Sequence, residues 1–335
     1  MVRRLAVPVL LLLAACHDQA SGGARTRDTI AAVGSSTVYP FTTVVAEQYV
    51  AADPNAQPPV IEETGTGAGL KLLCAGVGAA YPDLADASRR MRASEYRDCV
   101  SHGAGELLEV QVGLDGIAIG RSRVGPPFAL TSATLYRALA AAPGGRPNTA
   151  RRWSDIDPAL PPATIKVYGP PATSGTRDAF AGLILARGCA EVEGRVGPGC
   201  TRLREDGAYL DAGENDNLIV QKLASNPDAI GVLGYGYLRA NAGAVIGLTI
   251  DGVAPTYRAI ASGRYPGARP LFLYVKQAHL AAVPRLRDLL RTYAANWAPG
   301  GALVARGLIA APAEVRARSA AIIAHDVPLD PAGLK

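Results

Sequence analysis

Charge is scarce in this chain: Asp, Glu, Lys and Arg make up 19% of its 335 residues, and aromatic residues only 6%. With 49% apolar residues the composition is that of a folded globular protein and excludes a disordered or fibrous one. There is no C-x-x-C, no H-E-x-x-H, no G-x-S-x-G and no G-K-[ST], so the motif-borne routes to zinc, acyl-transfer and nucleotide chemistry are missing. The four histidines, His17, His102, His279 and His325, stand in no catalytic pattern, and a phosphate-ester hydrolase is disfavoured on that ground. No internal repeat appears, and the 37 Gly and 25 Pro follow no collagen period but predict many turns. The formal charge of +5 falls to +3 once Arg3 and Arg4 are set aside, and it is spread evenly. That is too mild for a nucleic-acid footprint, yet it suits a small anion.

A run long enough to cross a bilayer, about 20 residues, is also missing. The longest candidate, Leu5 to Ala15 behind Arg3 and Arg4, has the length of a secretory signal. It ends Leu13-Ala14-Ala15-Cys16, which resembles the lipobox of bacterial lipoproteins. The expectation is a signal peptide over 1–15, lipidation at Cys16 and a polar tether over 16–28, holding the protein at a membrane surface without a spanning helix. Four further cysteines remain, Cys74, Cys99, Cys189 and Cys200. An even number in an exported chain favours two disulfides, and proximity selects Cys74–Cys99 and Cys189–Cys200 among three pairings.

Strand-like and helix-like segments alternate from Thr29 onward, which predicts α/β layers with mainly parallel sheets. The organisation expected is two lobes with a hinge: 29–118 as the first part of lobe 1, 119–240 as lobe 2, and 241–335 as the return through the hinge and the rest of lobe 1. A cleft between hinged lobes is a usual ligand site.

Four segments place hydroxyls and glycines where a strand hands over to a helix: Gly34-Ser-Ser-Thr-Val-Tyr-Pro40, Thr64-Gly-Thr-Gly-Ala-Gly69, Ala87-Ser-Arg-Arg90 and Ala172-Thr-Ser-Gly-Thr-Arg-Asp178. Helix N-termini carry unpaired N–H groups and a positive dipole end, Ser and Thr add donors, and Gly lets the backbone approach closely. One such turn is an ordinary cap. Four, divided between two lobes, point to a caged oxyanion.

These motifs, in this order and spacing, resemble the phosphate-binding proteins of bacterial high-affinity phosphate importers, as does Asn226-Pro-Asp-Ala-Ile-Gly231; the likeness covers residues from about 30 to 325. The resemblance implies a type II periplasmic-binding-protein fold, capture of inorganic phosphate outside the cytoplasm and delivery to the inner-membrane subunits of an ABC permease, with no cofactor, metal or nucleic acid. It implies a monomer that is a binding protein and not an enzyme. Carried over by position, the ligand set is Ser36, Thr37 and Val38; Thr66 and Gly67; Ser88; and Ser174, Gly175 and Thr176. Arg177 stands beside the last group, either as a fork on phosphate oxygens or paired to Asp178, Glu214 or Asp216. The chain departs from the family's best-known branch at Arg89, where an Asp follows the Ser and accepts the proton of phosphate. Arg89 cannot accept, so it is a second ligand or a solvated charge, and the proton acceptor is left open. Other oxyanions (sulfate, arsenate, molybdate) and a sensing role without transport are the competing readings.

Overall fold

The computed structural model describes residues 27–172, 174–213, 215–283 and 285–334. Cys16, the leader and most of the tether lie outside the described residues.

The first half of the chain repeats a strand-loop-helix unit. Strand β1 (Ala31–Gly34) leads into helix α1 (Tyr39–Ala52), β2 (Val60–Glu63) into α2 (Thr66–Cys74), and β3 (Leu84–Ala87) into α3 (Ala93–Ser101). Pro40 sits in the first turn of α1, where a missing N–H costs nothing, and Phe41, Val44, Val45 and Tyr49 form its buried face. The longest strand, β4 (Leu107–Ser122), then runs into the second half of the molecule.

There α4 (Ser132–Leu139) is capped by the Thr131 hydroxyl, which accepts from the Thr134 N–H. Strand β5 (Val167–Gly169) precedes α5 (Gly175–Ala179), which continues through a π-helical stretch, Phe180–Leu185, into α6 (Ala186–Glu193). Next come β6 (Tyr209–Asp211), α7 (Asp216–Ser225), β7 (Ile230–Gly234), α8 (Tyr235–Ala240), β8 (Val245–Gly247) and α9 (Tyr257–Ala261). Strand β9 (Ala268–Lys276) returns, and α10 (His279–Ala282), α11 (Leu286–Asn296), α12 (Ala302–Ala305) and α13 (Ala313–His325) close the chain.

The strands run in the order β2-β1-β3-β9-β4-β7-β5-β6, with β8 also on β4. Pairs β1/β2, β1/β3, β5/β6 and β5/β7 are parallel, whereas β3/β9, β4/β9, β4/β7 and β4/β8 are antiparallel. The sheet is therefore mixed and not mainly parallel, because one long strand leaves the first half and another comes back beside it. Strand β4 pairs with β9 from Leu107 to Gly116 and with β7 from Ile117 to Arg121, so it belongs to both halves.

Packing follows the same division. One core is built from residues between Ile117 and Tyr265, together with Ile309. Two others cover the faces of the first half, one around Ile30, Val45, Leu108, Leu273 and Leu290, the other around Leu70, Ala85, Cys99 and Tyr274. Residues 241–265, grouped with the return in the sequence reading, contribute Val245, Leu248, Ile250, Ala259, Ile260 and Tyr265 to the second-half core. Both expected disulfides are present: Cys74–Cys99 ties α2 to α3, and Cys189–Cys200 ties α6 to the turn at 198–201. Among the described residues no helix is long and apolar enough to cross a membrane.

Candidate functional site

The carboxyl ends of β1, β2, β3 and β5 all open into loops that precede or flank a helix, the position where open α/β sheets bind ligands. Two glycines allow the first-half loops to nest. At Gly34, φ is +128° and a Cβ would stand 2.2 Å from the Asp86 carbonyl oxygen, so only glycine fits. On α2, a Cβ at Gly69 would lie 2.5 Å from Gly34 Cα, so the helix start can press onto the first loop. Helix α2 begins at Thr66, and this puts Thr66 and Gly67 in its first turn.

In the first loop, the Ser35 carbonyl accepts from the Val38 and Tyr39 N–H groups, and the Ser35 hydroxyl accepts from the Thr37 N–H at 3.2 Å. Val38 thus has its N–H engaged and its side chain wholly buried, while Ser36 and Thr37 line a cavity of about 560 Å³. From the other loops, the Ser88 N–H donates to Thr66 Oγ1 at 3.1 Å, and the two hydroxyl oxygens are also 3.1 Å apart. Ser174 caps α5, its Oγ accepting from the Thr176 N–H at 3.2 Å.

The two halves meet at these groups. A Cβ at Gly175 would stand 2.7 Å from Ser88 Oγ and 3.7 Å from both Ser35 Oγ and Thr66 Oγ1. Thr37 Oγ1 lies 3.4 Å from Thr176 Oγ1. Hydroxyls from all four loops are thereby gathered around one point between the cores.

The positive charge at that point is Arg269, which the sequence reading did not single out. It is only 3% exposed and faces Asp115 directly across the β4/β9 pair. Its Nε and Nη2 donate to Asp115 Oδ2 at 3.2 and 3.0 Å, Nη1 donates to the Gly175 carbonyl at 2.6 Å, and Nη2 reaches Thr37 Oγ1 at 2.8 Å and Thr176 Oγ1 at 3.3 Å. One guanidinium on the strands that join the halves therefore touches a loop from each. A signal for it does exist in the sequence: Asp115 interrupts the run Val112 to Gly120 and Arg269 precedes the run Pro270 to Val275, and burial makes both charges costly unless they meet.

The two arginines that sequence reasoning did single out have other contacts. The Arg177 guanidinium lies over the Tyr209 ring, 4.8 Å from its centroid, and Arg177 lines neither inter-core cavity. Arg89 is held by Glu95 through bonds of 2.9 and 2.6 Å, and this partnership pushes its already high pKa further up. It does line a second cavity of about 260 Å³, shared with Thr66, Ser88, Gly175 and Arg269. Gly67 is exposed beside it, a Cβ there being 3.9 Å from Arg89 Nη2.

Beneath the first loop, Asp86 is buried with the Thr42 hydroxyl donating to its Oδ2 at 2.8 Å, while Oδ1 has no partner among the described residues. Burial pushes its carboxyl up to about 7. The Asp86 carbonyl accepts from the Ser35 N–H, so this group supports the loop from below.

A sequence model of the PBP superfamily domain matches residues 19–297. Among curated relatives, protein SphX of Synechococcus elongatus is 29% identical over 278 residues, covering 81% of this chain and 74% of SphX. The phosphate-binding protein PstS of Staphylococcus haemolyticus is 25% identical over 263 residues, covering 77% and 74% respectively. A possible phosphate binding protein from Planctomyces limnophilus has a similar structure, with TM-score 0.65, 28% identity, and coverage of 89% of this chain and 98% of that one. An ABC-type phosphate transport receptor from Vibrio cholerae shares the fold at TM-score 0.60, with 22% identity, 84% of this chain and 99% of that one.

Proposed function

The chain belongs to the PBP superfamily as a PstS-like member, and on that premise we propose that it binds inorganic phosphate between its two halves and delivers it to an ABC permease. The observation that carries this reading is the buried guanidinium of Arg269 bonded to the Thr37 and Thr176 hydroxyls and the Gly175 carbonyl, with the Thr66 and Ser88 hydroxyls gathered beside Gly175. A dianion taken out of water needs many hydrogen bonds and a countercharge, and this arrangement supplies both.

In this account the halves, one with its cores drawn from 30–112 and 271–329 and the other with its core at 117–265, are lobes that hinge on β4 and β9. Phosphate enters while they are apart. Ser36, Thr37, Thr66, Gly67 and Ser88 hold it from the first lobe, and Ser174, Gly175 and Thr176 from the second. Arg269 lies on the hinge strands and serves both sides, supplying the charge that sequence reasoning assigned to Arg177 and Arg89. Asp115 lines the cavity, and its Oδ1 makes no hydrogen bond among the described residues, so it is the acceptor available to a proton on the anion. Sulfate has no such proton at neutral pH and would meet a bare carboxylate. The leader and Cys16 would export the chain and hold it, as a monomer, at the outer side of a membrane by its lipid.

Calorimetric titration with phosphate, sulfate and arsenate at one pH tests the reading. Phosphate should bind at one site per chain and sulfate at least about a hundredfold more weakly; tight sulfate binding without phosphate binding would refute it.

A further inference from the structure

We propose that the cleft also accepts a condensed phosphate, with one phosphoryl group in the Arg269 cradle and a second beside Arg239 and Arg306. The inference rests on the phosphate reading and extends its ligand class. Its first ground is size. The cavity that opens from Ser36, Thr37, Ser174 and Thr176 holds about 560 Å³, the range of pockets for organic ligands, about 300–1,000 Å³, whereas a single orthophosphate has five heavy atoms. Arg269 itself lines the other cavity, of about 260 Å³, and meets this one through its bonds to Asp115, Thr37 and Thr176, which line it.

The space does not come from parted lobes. Thr37 and Thr176 are already 3.4 Å apart, and along the cavity wall the backbones nearly touch: a Cβ on Gly307 would stand 3.0 Å from Gly236 Cα.

The second ground is charge. Four charged residues line the cavity, Asp115, Asp216, Arg239 and Arg306. Asp115 is paired with Arg269, and Asp216 Oδ2 accepts from the Gly234 N–H at 2.7 Å. The Arg239 and Arg306 side chains make no hydrogen bond or ion pair among the described residues. Arg239 lies on α8 in the second lobe and Arg306 on the turn after α12 in the first, so neither shares an element with a cradle residue. An anionic group between them would bridge the lobes a second time. A second phosphoryl group offers several charged oxygens to two guanidinium forks, which the organic part of a phosphate ester does not.

Titration of the whole chain with pyrophosphate, orthophosphate and glycerol phosphate tests the idea, alongside Arg239→Ala and Arg306→Ala. Both arginines are exposed, so the variants should melt with the parent. Pyrophosphate should bind the parent in competition with orthophosphate, and each variant should lose at least about tenfold in pyrophosphate affinity with orthophosphate affinity unchanged. If orthophosphate binds and pyrophosphate does not, or glycerol phosphate binds as well as pyrophosphate, the proposal is overturned and the phosphate reading stands. If none of the three binds, both fall.

Discussion

Replacing Arg269 separates what the buried ion pair does for the fold from what it does for the ligand. Its side chain is 3% exposed and that of Asp115 is 9% exposed, at 3.0 Å. Arg269→Met keeps much of the length and removes the charge, which leaves Asp115 buried without its partner; such truncations cost about 3–5 kcal/mol of stability. The double variant Arg269→Met/Asp115→Leu removes both charges and should recover most of that loss in a thermal melt. Affinity should not recover. A buried anion short of its countercharge loses about 2–5 kcal/mol, which is roughly 30-fold to several-thousand-fold in phosphate affinity by calorimetry. Arg177→Ala is the control. Its guanidinium packs on Tyr209, a contact worth about 0.5–1 kcal/mol, so affinity should stay within about threefold of the parent. If the folded double variant binds phosphate like the parent, or Arg177→Ala loses more than either Arg269 variant, the assignment of the cation is wrong.

Gly175→Ala puts a methyl group 2.7 Å from Ser88 Oγ and should weaken phosphate binding at least about tenfold in the same titration. Asp115→Asn should narrow the gap between phosphate and sulfate affinities; an unchanged ratio would remove Asp115 as the proton acceptor. Asp86, pushed up to about 7 by burial, binds a proton more tightly folded than unfolded, so its contribution to stability is full below the ordinary carboxylate range and is lost as pH rises toward 7. Asp86→Asn carries no such loss, and its melting temperature relative to the parent should climb between about pH 4 and about pH 8; a flat difference would contradict the buried acid. Removing the Cys74–Cys99 or Cys189–Cys200 bridge, with spans of 25 and 11 residues, should cost about 3 kcal/mol each in denaturant unfolding. Cys16→Ser should abolish lipid attachment, read by mass spectrometry of the native N-terminus; a parent protein unmodified at residue 16 would end that proposal.

The four loops that meet between the cores were legible because each is a contiguous run in which local chemistry carries the meaning. Ser174-Gly-Thr at a helix start and Gly34-Ser-Ser-Thr before Pro40 declare their hydrogen-bonding role without any knowledge of distant chain. Arg269 was not legible in that way. Its partners Asp115, Thr37 and Gly175 are 154, 232 and 94 residues away, and a single Arg in a strand reads as an edge or surface position. The mixed sheet escaped for a related reason, since pairing direction between β4 and β9 depends on where the chain returns and not on either strand's composition. Helix α3 carries little signal in the sequence because its one buried residue is Cys99, so it shows no apolar period; Glu95 accepting from the Arg92 N–H fixes its start instead. Val38 enters the candidate set only through the family resemblance, and its N–H donates to the Ser35 carbonyl.

A crystal structure of the chain with phosphate bound is the most direct measurement of the central claim. The account predicts an anion between the lobes, within hydrogen-bond reach of Thr37, Thr66, Ser88, Ser174 and Thr176 and in contact with the Arg269 guanidinium. Phosphate bound against Arg177 or Arg89 with Arg269 still closed on Asp115 and turned away from the anion would contradict it.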